Sequence, residues 1–345
     1  MRRVAIAAAI LAACVTAGAA QAQGSASAFF ARCKVDDEIA AADRHAAETT
    51  ALALARATIA GDEVAILGDM TPAAQIATPP DKLRSLLSYV ASFAPYRDLH
   101  VERTFSINVE KVGGVVPRIH CGKSASDPEA MWLSVMPSGH QIDVAISTQS
   151  RNNGWSFFVV LERDDDAWKA ASFHIDGASA AGHSSRDFQK LAEAQAAKGH
   201  RINAALLYEA AIGVAERGPN AVPVWHAALV KEAAGFVLPK ELARTTPLTW
   251  TAADPALGRA TVALTAVAPN LALIFERHPQ AWSNDAAADR DSQAFATSVI
   301  SHAELSEVFS AVIVRAMRPD GSGGFGTVYE FGKGFLDHKP VSSGQ

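Results

Sequence analysis

The chain has 345 residues, with 31 Lys or Arg against 36 Asp or Glu and a formal net charge of -5. That balance, without any basic run, excludes the cationic face on which nucleic-acid binding rests. Hydrophobic residues make up 49% and charged residues 19%, a globular composition rather than a disordered one, and the length suits two domains at roughly 100 to 200 residues each.

The first residues read as an address. Arg2 and Arg3 give a positive start, Val4 to Thr16 is almost wholly small or apolar, and Ala20-Gln21-Ala22 is a small-x-small cleavage site. Residues 1–22 are therefore expected to be a signal peptide, and the working protein to be periplasmic or secreted. The apolar run falls short of the about 20 residues a permanent span needs. The stretch Ala260 to Phe275 is broken by Pro269 and Asn270, so no transmembrane span is expected after cleavage. Leu11-Ala12-Ala13-Cys14 is similar to a lipobox, which leaves a lipid anchor at Cys14 as the alternative. Arg2-Arg3 lacks the flanking residues of a twin-arginine signal.

Of three cysteines, Cys14 leaves with the leader. Cys33 and Cys121 then form a pair in a compartment where disulfides persist, and a bond between them is expected, two separate buried thiols being the other reading.

Phe29 to Gly61 predicts a helix, rich in alanine, with Leu52, Leu54, Ala55 and Ile59 on a stripe. A second helix starts with Thr78 as its cap, carries Leu83, Leu86, Leu87 and Val90 on one face, and ends by Pro95. The period then changes to two. Val101, Arg103, Phe105, Ile107 and Val109 alternate with polar residues as in a half-buried strand. Met131–Met136 and Gln141–Thr148 follow across Pro137-Ser138-Gly139, and Trp155–Glu162 and Ala167–Ile175 across Arg163 to Asp166; both pairs read as hairpins.

With helix before antiparallel sheet, residues 29–177 are expected to form an α+β layer. The early helix ending at Ala60-Gly61-Asp62, the proline-rich turn into a second helix, and the closing strand Asp166-Ala167-Trp168-Lys169 to Phe173-His174-Ile175 resemble the cone fold of the nuclear transport factor 2-like (cystatin-like) superfamily. The resemblance covers Ala46 to Asp176. It implies a ligand space between the concave sheet and the helices, where some members place an acid-base carboxylate or histidine.

Ala178 to Ser184 reads as a linker, and Ser184 with Asp187 as a helix cap. Gly199, Ala204, Tyr208 and Ala211 stand at the spacing of one tetratricopeptide hairpin; a single such unit cannot bury its own face. Residues 184–217 are thus expected to be a helical connector. Residues 222–336 read as a second α+β domain, with a helix from Trp225 to Phe236, strands at Thr249–Thr251, Arg259–Ala268, Leu271–Arg277, Ala311–Arg318 and Gly326–Phe331, and a helix over Ala286–Phe309 restarted by a capping box at Ser301 and Glu304. Residues 337–345 are expected to be a disordered tail. The fold class is α+β: two domains, each an antiparallel sheet packed by helices, joined by the helical hairpin.

The motifs that carry chemistry are weak. Gly321 to Gly326 spells G-x-G-x-x-G, but a strand follows where a dinucleotide site needs a helix. Tyr329 and Lys333 have a dehydrogenase spacing without a cofactor loop. Gly182-His183-Ser184-Ser185 lacks the closing glycine of a nucleophile elbow. Among 11 histidines there is no H-E-x-x-H pair, His120 and Cys121 point to opposite strand faces, and Asp164 to Asp166 lack the spacing of a calcium loop. Ile142, Val144 and Ile146 take one face of a strand and Gln141, Asp143 and Ser147 the other, so Asp143, with His174, is expected on a polar face away from the helices. Trp155 and Phe157, with Tyr96, are expected on the covered face as core, or as the lining of an apolar ligand cleft. No cofactor, metal or catalytic residue is expected. The function so read is an exported envelope protein that binds a small apolar ligand or another envelope protein, against an enzyme whose site converges from distant residues.

Overall fold

The computed structural model describes residues 32–109, 118–124, 126–151, 153–245, 247–267, 270–279, 282–319 and 324–336. The expected leader with Cys14, the turn at Ala268-Pro269, Gly321 to Gly323 of the glycine string and the expected tail lie outside these residues. In chain order the elements are β1 (Arg32–Val35), α1 (Ala41–Ala60), α2 (Glu63–Gly68), α3 (Pro72–Ala77), α4 (Pro80–Ala91), β2 (Tyr96–Asn108), β3 (Arg118–Cys121), β4 (Met131–Ser134), β5 (His140–Ser150), β6 (Asn153–Asp164), β7 (Ala167–Gly177), α5 (Ser185–Ala197), α6 (Arg201–Ala215), β8 (Ala221–Pro223), α7 (His226–Gly235), β9 (Leu242–Ala243), β10 (Thr249–Thr251), β11 (Arg259–Val267), β12 (Asn270–Arg277), α8 (Asp285–Ile300), β13 (Ala311–Met317), β14 (Gly324–Glu330) and β15 (Gly334–Phe335). The class is α+β, antiparallel sheets packed by helices.

Two compact units divide the chain, and the division is not a single cut. The first takes residues up to Ala178 together with Ala215–His226; the second takes Ser179–Val214 and everything from Ala227 onward.

In the first unit, the helix expected from Phe29 begins only at Ala41. Cys33 and its neighbours are drawn into β1 by pairing with β2, Cys33 opposite Ile107, and a short 3₁₀ turn over Asp36–Glu38 intervenes. Gly61 ends α1 in the left-handed conformation at φ 74°, its N–H turned back onto the last carbonyls, which an L side chain resists. Asp62 and Thr71 accept the N–H groups of Ala65 and Ala74 and so start two short helices that periodicity over longer windows does not resolve. The next helix is capped at Pro79 without a side-chain bond, not at Thr78.

Five strands make the main sheet, in the order β1-β2-β5-β6-β7. The β6–β7 hairpin forms as expected, Asp164 opposite Ala167. The other expected hairpin does not. β4 pairs with β3 and with β8, forming a separate three-stranded sheet, and Pro137-Ser138-Gly139 is a passage between sheets. On one face of the main sheet, Ile142, Val144, Ile146, Trp155, Phe157, Val159 and Leu161 pack with Leu54, Ala51, Leu83 and Leu87 of the helices. On the other, Phe105, Ile107, Phe158 and Val160 pack with Ile119, Leu133 and Ala221 of the small sheet.

β2 departs from strict alternation. Val101 pairs with Ile146 and Arg103 with Ala145, so Glu102 is an extra residue, a bulge that re-aims the remainder of the strand. Val101 therefore joins the helix-side core, while Phe105 and Ile107 turn to the small sheet.

The second unit builds a seven-stranded sheet, β15-β14-β13-β12-β11-β10-β9. It is antiparallel except that β12 and β13 run parallel, Phe275 opposite Val314, because the chain returns through α8, the long crossover that parallel pairing requires. Trp250, Phe275 and Phe295 are fully buried and meet edge-on at 5.5 and 5.7 Å between ring centroids. Asn284 caps α8. The expected capping box at Ser301 is absent: Ser301 ends α8, its hydroxyl donating back to the Ser298 carbonyl, and a 3₁₀ turn over Ala303–Glu307 comes next. Helices α5 and α6 belong to this unit. Ser184 and Asp187 cap α5 reciprocally, as expected, and the Tyr208 hydroxyl of α6 donates to Glu232 of α7 at 2.6 Å.

Candidate functional site

The aromatic residues singled out in the sequence come together. Trp155 stands among Phe93, Tyr89 and Tyr96, with ring centroids 4.4, 6.0 and 6.3 Å away. The Tyr96 hydroxyl donates to the Val90 carbonyl at 2.9 Å, and burial raises its pKa. Burial likewise pushes the Tyr89 hydroxyl up to about 12, with Asp176 adding to it. Phe157 is 0% exposed and Trp155 4%. These side chains occupy one another's space and form the helix-side core. Phe157→Ala should accordingly cost about 3–5 kcal/mol of unfolding free energy, read by urea denaturation; a loss below about 1 kcal/mol would mark an unfilled cleft instead.

A groove in the first unit is lined by Asp36, Glu102, Arg103, Lys123, Ser124, Ser126, Asp127, Pro128 and Glu129. Arg103 is its hub. The guanidinium donates to Asp127 at 3.0 Å and lies 3.6 Å from Asp36 and 3.3 Å from Glu129. Lys123 reaches Asp36 and Asp37 at 3.4 and 3.6 Å. Asp127 also accepts the backbone N–H groups of Lys123 and Glu129, so one carboxylate shapes the loop and neutralises the arginine. The Arg103 hydrogen bond, aided by those amides against desolvation, holds the Asp127 carboxyl down at about 2. Asp36 accepts the Thr104 N–H, which ties the 3₁₀ turn to β2.

The rims of this groove are pinned covalently. Cys33 and Cys121 are joined, with Cα atoms 5.5 Å apart, within the range of ordinary disulfides. Cys33 precedes Asp36 by three positions and Cys121 precedes Lys123 by two, so the bond fixes both walls. Within the lining Arg103 and Lys123 are held by Asp36, Asp127 and Glu129, and two serine hydroxyls, Ser124 and Ser126, lie 3.3 Å from one another. Among the described residues no group of three or more His, Cys, Asp or Glu is placed to hold a metal ion.

Asp143 and His174 part company. The polar face of β5 does not meet solvent, as alternation alone had implied: the small sheet covers it, and Gln141 and Asp143 are both 0% exposed. His174 is exposed at its end of β7. Gly218 packs over it so closely that a Cβ there would lie 2.1 Å from the imidazole. Tyr329 packs on Phe331 and Phe335, and Lys333 pairs with Glu330 at 2.6 Å, so the Y-x-x-x-K spacing serves the β14 turn. No protein-family model, no curated protein and no solved structure matches the chain.

Proposed function

We propose that this is an exported protein of the bacterial envelope that acts by binding rather than by catalysis. One observation carries the export part: Cys33 and Cys121, 88 residues apart, meet at bonding distance in a chain that opens with a leader-like stretch, and such bonds persist outside the reducing cytosol. No described helix is long and apolar enough to cross a membrane. The binding part is supported by the groove around Arg103, where, among the described residues, both cations are held by carboxylates rather than set beside a nucleophile. The first unit reads as a cone-like domain; α1 lying across β2, β5, β6 and β7, with the helix-side core between, supports that reading.

Expression of the whole chain in a Gram-negative host tests export. The expected product is periplasmic, begins near Gln23 and has its two thiols oxidised. A mature terminus at Cys14 bearing acyl chains would move the protein to the lipid-anchored class, and intact Met1 with free thiols in the cytosol would sink the proposal. A photocrosslinking residue at Glu129 in the exported protein should trap a partner that the same residue at Lys231 of the second unit does not; equal trapping, or none, removes the groove from the function.

A further inference from the structure

Asp143 stands in β5 between Phe105 of β2 and Val160 of β6, on the face that the small sheet covers. Its Oδ1 accepts from the Gln141 side chain at 2.8 Å, and Oδ2 has no hydrogen-bond partner among the described residues. Among the described residues no cation faces it. Arg103, the charged residue nearest along β2, is engaged by Asp36, Asp127 and Glu129. β3 turns Ile119 and Cys121 inward and Arg118 and His120 outward; β4 contributes Leu133 and β8 Ala221. On β6 the same face carries Ser156 and Glu162 at its ends and apolar residues between; on β7, exposed His174 sits beyond Phe158.

An ionised carboxylate without a partner is not held in such a layer. It is either protonated, or wet because the layer has opened. We propose that Asp143 is a proton-operated latch between the two sheets of the first unit: the small sheet closes over the neutral acid and loosens as the acid ionises.

Gln141 couples the acid to the sheet that would move. Its Nε2 also donates to the Ser134 carbonyl at 3.0 Å, and its Oε1 accepts the Met136 N–H at 2.6 Å, so the carboxyl is wired to the end of β4 and to the passage between the sheets. Burial pushes the closed carboxyl up to about 8, the Gln141 bond opposing, whereas a wetted aspartate titrates near about 4. Between those values opening releases a proton. The ratio of open to closed molecules then rises about tenfold per pH unit, levelling off above the closed value. The grip is tightest in mild acid.

Hydrogen exchange of the oxidised full-length protein, corrected for intrinsic rates, reads this ratio segment by segment. From pH 5 to 8, protection of Met131–Ser134 and Ala221–Pro223 should fall about tenfold per unit in the wild type and stay flat in Asp143→Asn, and at every pH it should lie well below that of β6 and α1, which exchange only when the whole unit unfolds. Should the asparagine variant fail to fold, Asp143→Val supplies the uncharged reference. Constant protection in the wild type, the same fall in the uncharged variant, or small-sheet protection no lower than that of β6 and α1 would each overturn the latch.

Discussion

Reducing the Cys33–Cys121 bond should lower the unfolding free energy of the first unit by about 4–5 kcal/mol, because the cross-link removes loop-closure entropy from an unfolded chain over a separation of 88 residues. The loss has a local consequence too. Cys121 is fully buried and belongs to the core beneath the small sheet, so a freed thiol stays in apolar surroundings while β1 loses its tie to β3. Equilibrium urea unfolding with and without reductant, and of a Cys33→Ser/Cys121→Ala variant, measures the effect. A difference under about 1 kcal/mol would show that sheet pairing alone fixes these walls. A small sheet whose strands are four, four and three residues long offers few ladder bonds, which is why the larger number is expected.

Asp143→Asn should stabilise the protein at neutral and alkaline pH and flatten its pH profile. The sign comes from the two protonation states. In the unfolded chain the carboxyl ionises above its ordinary value of 3.8, and in the folded chain it keeps its proton up to about 8. Across that window the folded state binds the extra proton, so wild-type stability falls as pH rises, by about 1.4 kcal/mol per unit. The gap between variant and wild type should widen at that rate from pH 5 to about 8 and then hold. Asp127 acts in the opposite sense and elsewhere: its depressed carboxyl stabilises the fold above 3.8 and gives that up only as pH falls toward about 2. The two windows do not overlap, and unfolding free energies measured at pH 5, 6, 7 and 8 isolate Asp143. A gap that stays constant across them would refute the assignment of a buried neutral acid.

Much of the frame was legible from side-chain periodicity. The long helices α1 and α4, the long strands, the β6–β7 hairpin and the cap at Ser184 arise from local patterns that the tertiary structure leaves standing, and the cysteine pair followed from the count of cysteines and the expected compartment. What was not legible is what covers each face. Alternation separates Ile142, Val144 and Ile146 from Gln141 and Asp143, but the sheet that roofs the second set is completed by β8, about 80 residues downstream of Asp143 and only three residues long, too short to leave a pattern. The bulge at Glu102 is equally silent, since a strand with one extra residue alternates as cleanly as one without. The groove had one available signal. Arg103 occupies an apolar slot between Val101 and Phe105, and a cation drawn out of water needs carboxylates. Its partners Asp36, Asp127 and Glu129 come from two other segments, so their identity awaited the fold.

The passage of the chain from the first unit to the second, back again, and out a final time has an evolutionary and practical consequence. A gene fragment ending at Ala178 would encode a first half stripped of Ala221–Pro223, the strand that pairs with Met131–Leu133, and a fragment starting at Ala227 would encode a second half without α5 and α6. Neither half is a transferable cassette. Recombination that respects both must move the entire interleaved stretch together.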